Sequence, residues 1–176
     1  MRTGVSGNVF TKVASPVGEL MLVAEGGSLI GLHFENPRYE PRLPSDCRRD
    51  DDVFTPVVSL LDAYFAGEAV DFEVSMKFEG TLFQRRVWEA LRTIPHGTTV
   101  SYADVAGRIG APKAVRAVGA AVGRNPIAII VPCHRVIGAN GDLTGFGGGL
   151  DRKRHLLALE GGLPARRGAR LAAMSV

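Results

Sequence analysis

Residues 114–138 read AVRAVGAAVGRNPIAIIVPCHRVIG. A run of Ala, Val and Gly carries one long side chain, Arg116, and a second, Arg124, near its end. Its spacing predicts a helix over 114–125. Small side chains let such a helix approach another surface closely, either a neighbouring helix or a nucleic-acid groove. Base-specific readout in the major groove uses Arg, Asn or Gln, so a helix of this composition on DNA would bind without sequence preference. The apolar run IAIIVP (127–132) follows, and then a thiol, Cys133, set between Pro132 and His134. Cys133 reads either as a buried small residue or as a nucleophile.

The flanking residues give this stretch a helical setting. Thr81-x-x-Gln84 is a capping box that opens LFQRRVWEALRTI, and Pro95-His96-Gly97 ends it. Ser101-x-x-Asp104 opens a short helix, YADVAGRI, which Gly110 closes. This helix, the turn APK and the 114–125 helix have the outline of a helix-turn-helix. Downstream, DLTGFGGGL (142–150) is a glycine-rich loop without the Gly-Lys-Ser/Thr of a phosphate loop. Asp151 reads as the cap of a last helix, RKRHLLALE (152–160), and Gly161-Gly162 as its end. The tail 163–176 is basic and is expected to be mobile.

The first third reads as a small antiparallel sheet: VFTKVAS (9–15), ELMLVAE (19–25) and SLIGLHFE (28–35), separated by Pro16-Val17-Gly18 and Gly26-Gly27. Residues 36–52 form a loop that holds Cys47. Val57, Val58, Leu60, Leu61, Tyr64 and Phe65 predict a helix over 54–67 with one apolar face. VDFEVSM (70–76) alternates as a strand. Residues 77–80 link a domain at 1–76 to one at 81–162.

The chain has 176 residues, of which 45% are apolar and 22% charged, the composition of a soluble globular protein. Its apolar runs fall well short of the roughly 20 residues of a membrane span. With no signal-like N-terminus, a cytoplasmic location and two free thiols are expected. Residues 1–80 carry 7 Lys and Arg against 13 Asp and Glu, while residues 81–176 carry 14 against 5. Such an imbalance directs a polyanion to the second half.

A thiol reacts as thiolate and needs an activating neighbour. In an extended chain Cys133 and His134 would point to opposite faces, so direct contact requires a turn, which Pro132 makes plausible. Otherwise a bridging water or another histidine (His33, His96 or His155) must serve. A base histidine also needs an orienting acceptor. Of the carboxylates in the second half, Glu160 lies behind Leu156, Leu157 and Leu159, where it would be held inside. Metal binding fares worst, with no C-x-x-C and no H-x-x-x-H.

PCHRV (132–136), preceded by RAVGAAVGRNP (116–126) and followed by GFGGGL, resembles the DNA O6-alkylguanine alkyltransferases, the methylated-DNA–protein-cysteine methyltransferases. FQRRVWEALRTIPHGTTVSYADVA and RKRHLLALEG are also similar to that family, whose likeness is strong over 79–162 and looser before. The resemblance implies an α+β fold. Its N-terminal part is a small antiparallel sheet with helix, ribonuclease H-like; its C-terminal part is mostly helical and winged helix-turn-helix-like. It implies Cys133 as alkyl acceptor, His134 as the base acting through a water, Glu160 as the carboxylate orienting His134, and Asn125 as holding the turn around an active-site strand. Tyr102 would stand near guanine N3. The base pocket would comprise Val131, Cys133, Phe146, Gly147 and Gly148, and the DNA face Ser101, Tyr102, Arg116, Ala117, Ala120 and Ala121, with Arg116 filling the space of a flipped base. Arg135 would serve either phosphate contact or bracing.

The implied partner is double-stranded DNA containing O6-alkylguanine, bound from the minor groove. The implied protein is a monomer in solution with no membrane role, no cofactor and no metal; clustering on DNA is left open. O4-alkylthymine is an implied second substrate. Phe146 departs from the family, where many members have tyrosine. A lesion binder without repair would lack Cys133, a transcriptional regulator would bind specific sequences, and a cysteine hydrolase would turn over.

Overall fold

The structure, a computed structural model, describes residues 7–36 and 41–164. The basic tail expected over 163–176 lies, from residue 165 on, outside the described residues. Three strands, β1 (Asn8–Val13), β2 (Leu20–Glu25) and β3 (Ser28–Phe34), form an antiparallel meander. A two-residue strand, β4 (Arg48–Arg49), pairs parallel to β1 and completes the order β3-β2-β1-β4. The 36–52 segment, expected to be loop throughout, thus gains a short sheet edge. Helix α1 (Thr55–Phe65) follows, with Val57, Leu61 and Tyr64 buried. Gly67, at φ 94°, takes the chain out of it.

Residues 70–76 are not a strand. Their faces do alternate, with 70, 72, 74 and 76 half-buried and the residues between them exposed. The amides of Glu73 and Val74 bond to carbonyls two residues back, which diverts the backbone from a ladder. A bridge at Met76 to Leu29 is what remains. The 77–80 link is packed rather than loose. Phe78 packs against Trp88 with its ring tilted at a centroid distance of 5.6 Å, and a Cβ on Gly80 would lie 2.7 Å from the same indole.

In the second half come α2 (Leu82–Leu91), β5 (Val100–Ser101), α3 (Tyr102–Arg108), α4 (Val115–Gly123), β6 (Val136–Ile137) and α5 (Leu150–Glu160). Both capping boxes form: Thr81 with Gln84, and Ser101 with Asp104. The Trp88 indole donates to the Ala121 carbonyl at 2.9 Å and ties α2 to α4. β5 and β6 pair in parallel, which sets the start of α3 beside the residues after Cys133. Asp151 does not cap α5. Gly149 holds that position at φ 90°, and Asp151 lies in the first turn, where a carboxylate still favours the helix dipole.

The two halves share one core. The outer edge of β3 receives residues 126–128: Leu32 N–H donates to the Pro126 carbonyl at 2.9 Å, and Ala128 N–H to the Leu32 carbonyl at 3.0 Å. Leu32, Ile127, Val131 and Leu156 are all fully buried there, each worth about 1.5–3 kcal/mol of burial. This weld fixes the segment that leads into Cys133 against the N-terminal sheet.

Candidate active site

The apolar run before Cys133 pairs with the sheet at Ile127 and then coils. Ile129 takes φ 69°, and the amides of Ile130, Val131 and Cys133 bond back to Ala128, Ile127 and Val131. The expected active-site strand is therefore a compact turn. A β-branched residue in the left-handed region costs about 1–3 kcal/mol. Burial of the whole 127–137 segment holds it there. Asn125 braces the turn from within, its Nδ2 donating to the Val131 carbonyl at 2.7 Å and its Oδ1 accepting from Ile127 N–H at 3.0 Å.

Cys133, His134 and Arg135 form a single 3-10 turn after Pro132. The extended geometry that would have separated the thiol from the imidazole is absent. Glu160, at the end of α5, meets the turn. Its Oε1 accepts from His134 Nε2 at 2.7 Å, Tyr64 Oη at 2.7 Å and an Arg135 Nη2 at 2.9 Å; its Oε2 accepts from Arg135 Nε at 2.9 Å. Burial alone would raise the Glu160 pKa, but the hydrogen bonds from His134 and Arg135 outweigh it and hold the carboxyl well below its usual range. An ionised Glu160 requires the proton of His134 to sit on Nε2. Burial also pushes the imidazole below its ordinary value. His134 is therefore neutral, with a lone pair on Nδ1, a buried atom with no partner among the described residues. That is the electronic state of a base. Arg135, read as either a phosphate contact or a brace, is a brace: it is buried, bound to Glu160, and donates to the Ile94 carbonyl at 2.6 Å.

The Cys133 thiol is buried, which raises its pKa, while the Asn125 side chain and the charge of Lys153 pull it down. Lys153 is fully buried on α5. Its Nζ donates to the carbonyls of Val136 at 2.5 Å and Thr144 at 2.9 Å, and desolvation lowers its pKa to about 8. The Thr144 carbonyl also accepts from Tyr102 Oη at 3.0 Å, so the tyrosine and the lysine anchor the glycine-rich loop together. Sequence reasoning missed Lys153, although it precedes Leu156, Leu157 and Glu160 by three, four and seven residues on one stripe. Tyr64 was read as apolar, and its hydroxyl partner is 96 residues away.

A cavity of about 240 Å³ borders Cys133. Phe146, Gly147 and Gly148 form one wall; Asn125 and Ala128 another; Leu32, His33 and Phe34 of β3 close it. Val131, expected in the pocket, is fully buried behind it. Phe34 and Phe146 meet edge to face at 5.7 Å. Arg152 donates to the carbonyls of Val17, Glu35 and Gly148, binding the loop to the N-terminal sheet. His33 has its pKa lowered to about 4 by burial and is uncharged at neutral pH. His96 lies beside Tyr64, and His155 is exposed on α5.

On α4, Arg116, Ala117 and Ala120 are exposed beside the half-buried Tyr102 and Ser101. Ala121 is not on that face. It is 3% exposed and packs toward α2, because the 3.6-residue period carries it round to the core. Among the described residues no group of three or more His, Cys, Asp or Glu could hold a metal ion, and no helix is long and apolar enough to cross a membrane.

Comparison with known proteins supplies the context for this geometry. The family description "6-O-methylguanine DNA methyltransferase, ribonuclease-like domain" matches residues 8–78, and "6-O-methylguanine DNA methyltransferase, DNA binding domain" matches residues 82–162. The methylated-DNA–protein-cysteine methyltransferase of Mycobacterium tuberculosis is 53% identical over 151 residues, covering 86% of this chain and 91% of that protein. Its counterpart in Haemophilus influenzae is 48% identical over 153 residues, covering 86% and 85%. A crystal structure of M. tuberculosis OGT in complex with DNA superposes with a TM-score of 0.83 at 53% identity, covering 86% of this chain and 92% of that one. A buried Cys-His-Glu arrangement, set between a ribonuclease-like sheet and a helix-turn-helix and carried at this level of identity, places the chain in the 6-O-methylguanine DNA methyltransferase family.

Proposed function

We propose that this protein repairs DNA by direct reversal, taking an alkyl group from DNA onto its own Cys133. DNA repair by alkyl transfer to a protein cysteine follows from the family. The assignment of the cysteine rests on one observation: Cys133 shares a buried turn with a neutral histidine whose second nitrogen is held by an ionised glutamate. Cys47, the other thiol, lies among Asp46, Arg48 and Arg49, and burial and Asp46 raise its pKa.

In this reading the thiol proton passes through a water to His134 Nδ1. The Cys133 sulfur attacks the alkyl carbon in line. The S–C bond forms as the C–O6 bond breaks, and the electron pair leaves with the guanine. Tyr102, beside guanine N3, turns its phenol proton from the Thr144 carbonyl to the purine and offsets the charge left there. Asn125 keeps the Val131 carbonyl, and with it the turn, in place, and the Cys133 carbonyl receives the exocyclic amine. Gly147 presents its amide near O6, while Phe146 and Gly148 pack the base.

A base inside a duplex cannot reach Cys133, so the nucleotide is flipped at a cost of a few kcal/mol. Arg116 fills the space it leaves. Ala117 and Ala120 let α4 lie in the minor groove without reading sequence, and the basic second half supplies phosphate contacts. O4-alkylthymine presents a similar alkyl-oxygen bond and is the second substrate. The domains divide at the 77–80 link. A thioether is not reversed by these residues, so each molecule acts once.

Intact mass after incubation with an O6-methylguanine duplex tests the proposal. One added methylene (about 14 Da) mapped to Cys133, and absent in Cys133→Ser, is expected. Binding without mass gain would leave a lesion sensor; a gain on Cys47 would overturn the assignment.

A further inference from the structure

The Glu160 carboxylate is shared by two halves of the chain. His134 and Arg135 approach it from the turn, and Tyr64 from α1, in the N-terminal half. Tyr64 is 1% exposed. Its ring is fixed edge-on by Phe65 at 5.3 Å and His96 at 6.4 Å, with Phe72 tilted at 5.9 Å. Its hydroxyl has little freedom except to donate to Oε1, the oxygen that also receives His134 Nε2. A phenylalanine would fill the same volume, so packing does not account for the hydroxyl.

We infer that Tyr64 is a positioning residue for alkyl transfer: by donating to Glu160 Oε1 it shares the carboxylate charge that would otherwise be concentrated on His134. The inference rests on His134 serving as the base. A carboxylate oxygen with one donor fewer attracts an imidazolium more strongly. Without the Tyr64 hydroxyl, His134 would hold its proton to higher pH and be unavailable to Cys133 over part of the working range. The other charged groups around His134 act in known directions. Glu160 favours the imidazolium, while Arg135 and Lys153 oppose it. Cys133 adjoins it in the turn, and His96 lies beyond the Tyr64 ring. Tyr64 is the hydrogen-bond donor that moderates Glu160 without adding charge. The acidic half, which is unsuited to DNA, thereby contributes directly to the chemistry.

The test is the single-turnover rate of full-length protein on a methylated duplex between pH 5 and 8, with urea unfolding of the same samples. Tyr64→Phe is expected to move the acid limb upward by about half a pH unit, a rate about threefold lower on the limb, with the plateau within about twofold. A folded Tyr64→Phe whose limb does not move overturns the inference, whatever its plateau, since a merely structural loss lowers the rate at all pH values. His134→Gln separates the two readings. A loss of about 100-fold or more, with the limb abolished, supports His134 as base; wild-type rates would overturn the base assignment and the Tyr64 role with it. Should Tyr64→Phe not fold, NMR of the wild-type protein decides. The Tyr64 hydroxyl proton is expected to exchange slowly and to show cross-relaxation with His134 Hε2, and a fast-exchanging hydroxyl without that contact overturns the inference.

Discussion

Replacing Glu160 by Gln keeps the volume and removes the charge. In the native site four N–H or O–H groups converge on two oxygens, from Tyr64, His134 and twice from Arg135. After the change one oxygen becomes an amide NH2 facing those donors, and the Arg135 guanidinium, 9% exposed, loses its anion. Breaking a buried pair from one side costs about 3–5 kcal/mol, against a total stability of about 5–15 kcal/mol. With a slope of about 2 kcal/mol/M, the urea midpoint at pH 7 is expected to fall by about 2 M. The pH dependence has a definite sign. Glu160 has its pKa depressed by folding, so its contribution is full above the unfolded value of 4.5 and is lost as pH falls toward the folded one. The gap between wild type and Glu160→Gln should hold steady above about pH 5 and close in acid. A loss below about 1 kcal/mol at pH 7, or a gap insensitive to acid, would refute the assignment of an ionised carboxylate shared by these donors.

Asn125→Ala removes both side-chain bonds that brace the Cys133 turn, leaving the Ile127 amide unpaired and the Val131 carbonyl with the Cys133 amide alone; urea unfolding should show a loss of about 1–3 kcal/mol, with transfer strongly slowed. Arg116→Ala, on an exposed face, should change stability by less than about 0.5 kcal/mol. It should slow transfer from a methylated duplex while leaving transfer from the free O6-methylguanine base unaffected. Lys153, lowered to about 8 in the fold against an ordinary 10.5, costs stability while charged and buried. The Lys153 contribution should therefore rise between pH 8 and 10.5, so the stability of wild type relative to Lys153→Met should climb when unfolding of both is followed across that range.

Features that depend on neighbours in sequence were readable, and those that depend on distant partners were not. Both capping boxes form because each closes within four residues. Glu160 was legible from the leucines before it, since a carboxylate on an apolar stripe must find partners. Residues 70–76 show where the pattern stops being sufficient. Alternation assigns the faces correctly, but a ladder needs a free edge, and the outer edge of β3 is shared with residues 126–128. The run before Cys133 has the composition of a strand, yet Asn125 and the left-handed Ile129 coil it. Nothing local announces that. The family resemblance puts Ala121 on the DNA face with Ala120, but one further step of about 100° round the helix takes it into the core.

The charge asymmetry suggests a working basic half and a passive acidic one, but the contacts argue otherwise. The glycine-rich loop that walls the Cys133 cavity is held by Phe34 through Phe146 and by Arg152, which reaches back to the Val17 and Glu35 carbonyls. The turn carrying Cys133 is pinned at Leu32, and the carboxylate behind His134 is completed by Tyr64. Among the described residues of the first half, β3, the turn before β2, α1 and Pro41 thus touch the site, and none of these presents a cation to the cavity, as a surface in the path of phosphates would. On the proposed function the division of labour is by depth. Arginine and small residues on α4 would meet the DNA, while the sheet and α1 hold the chemistry from behind, where an acidic surface would carry no penalty.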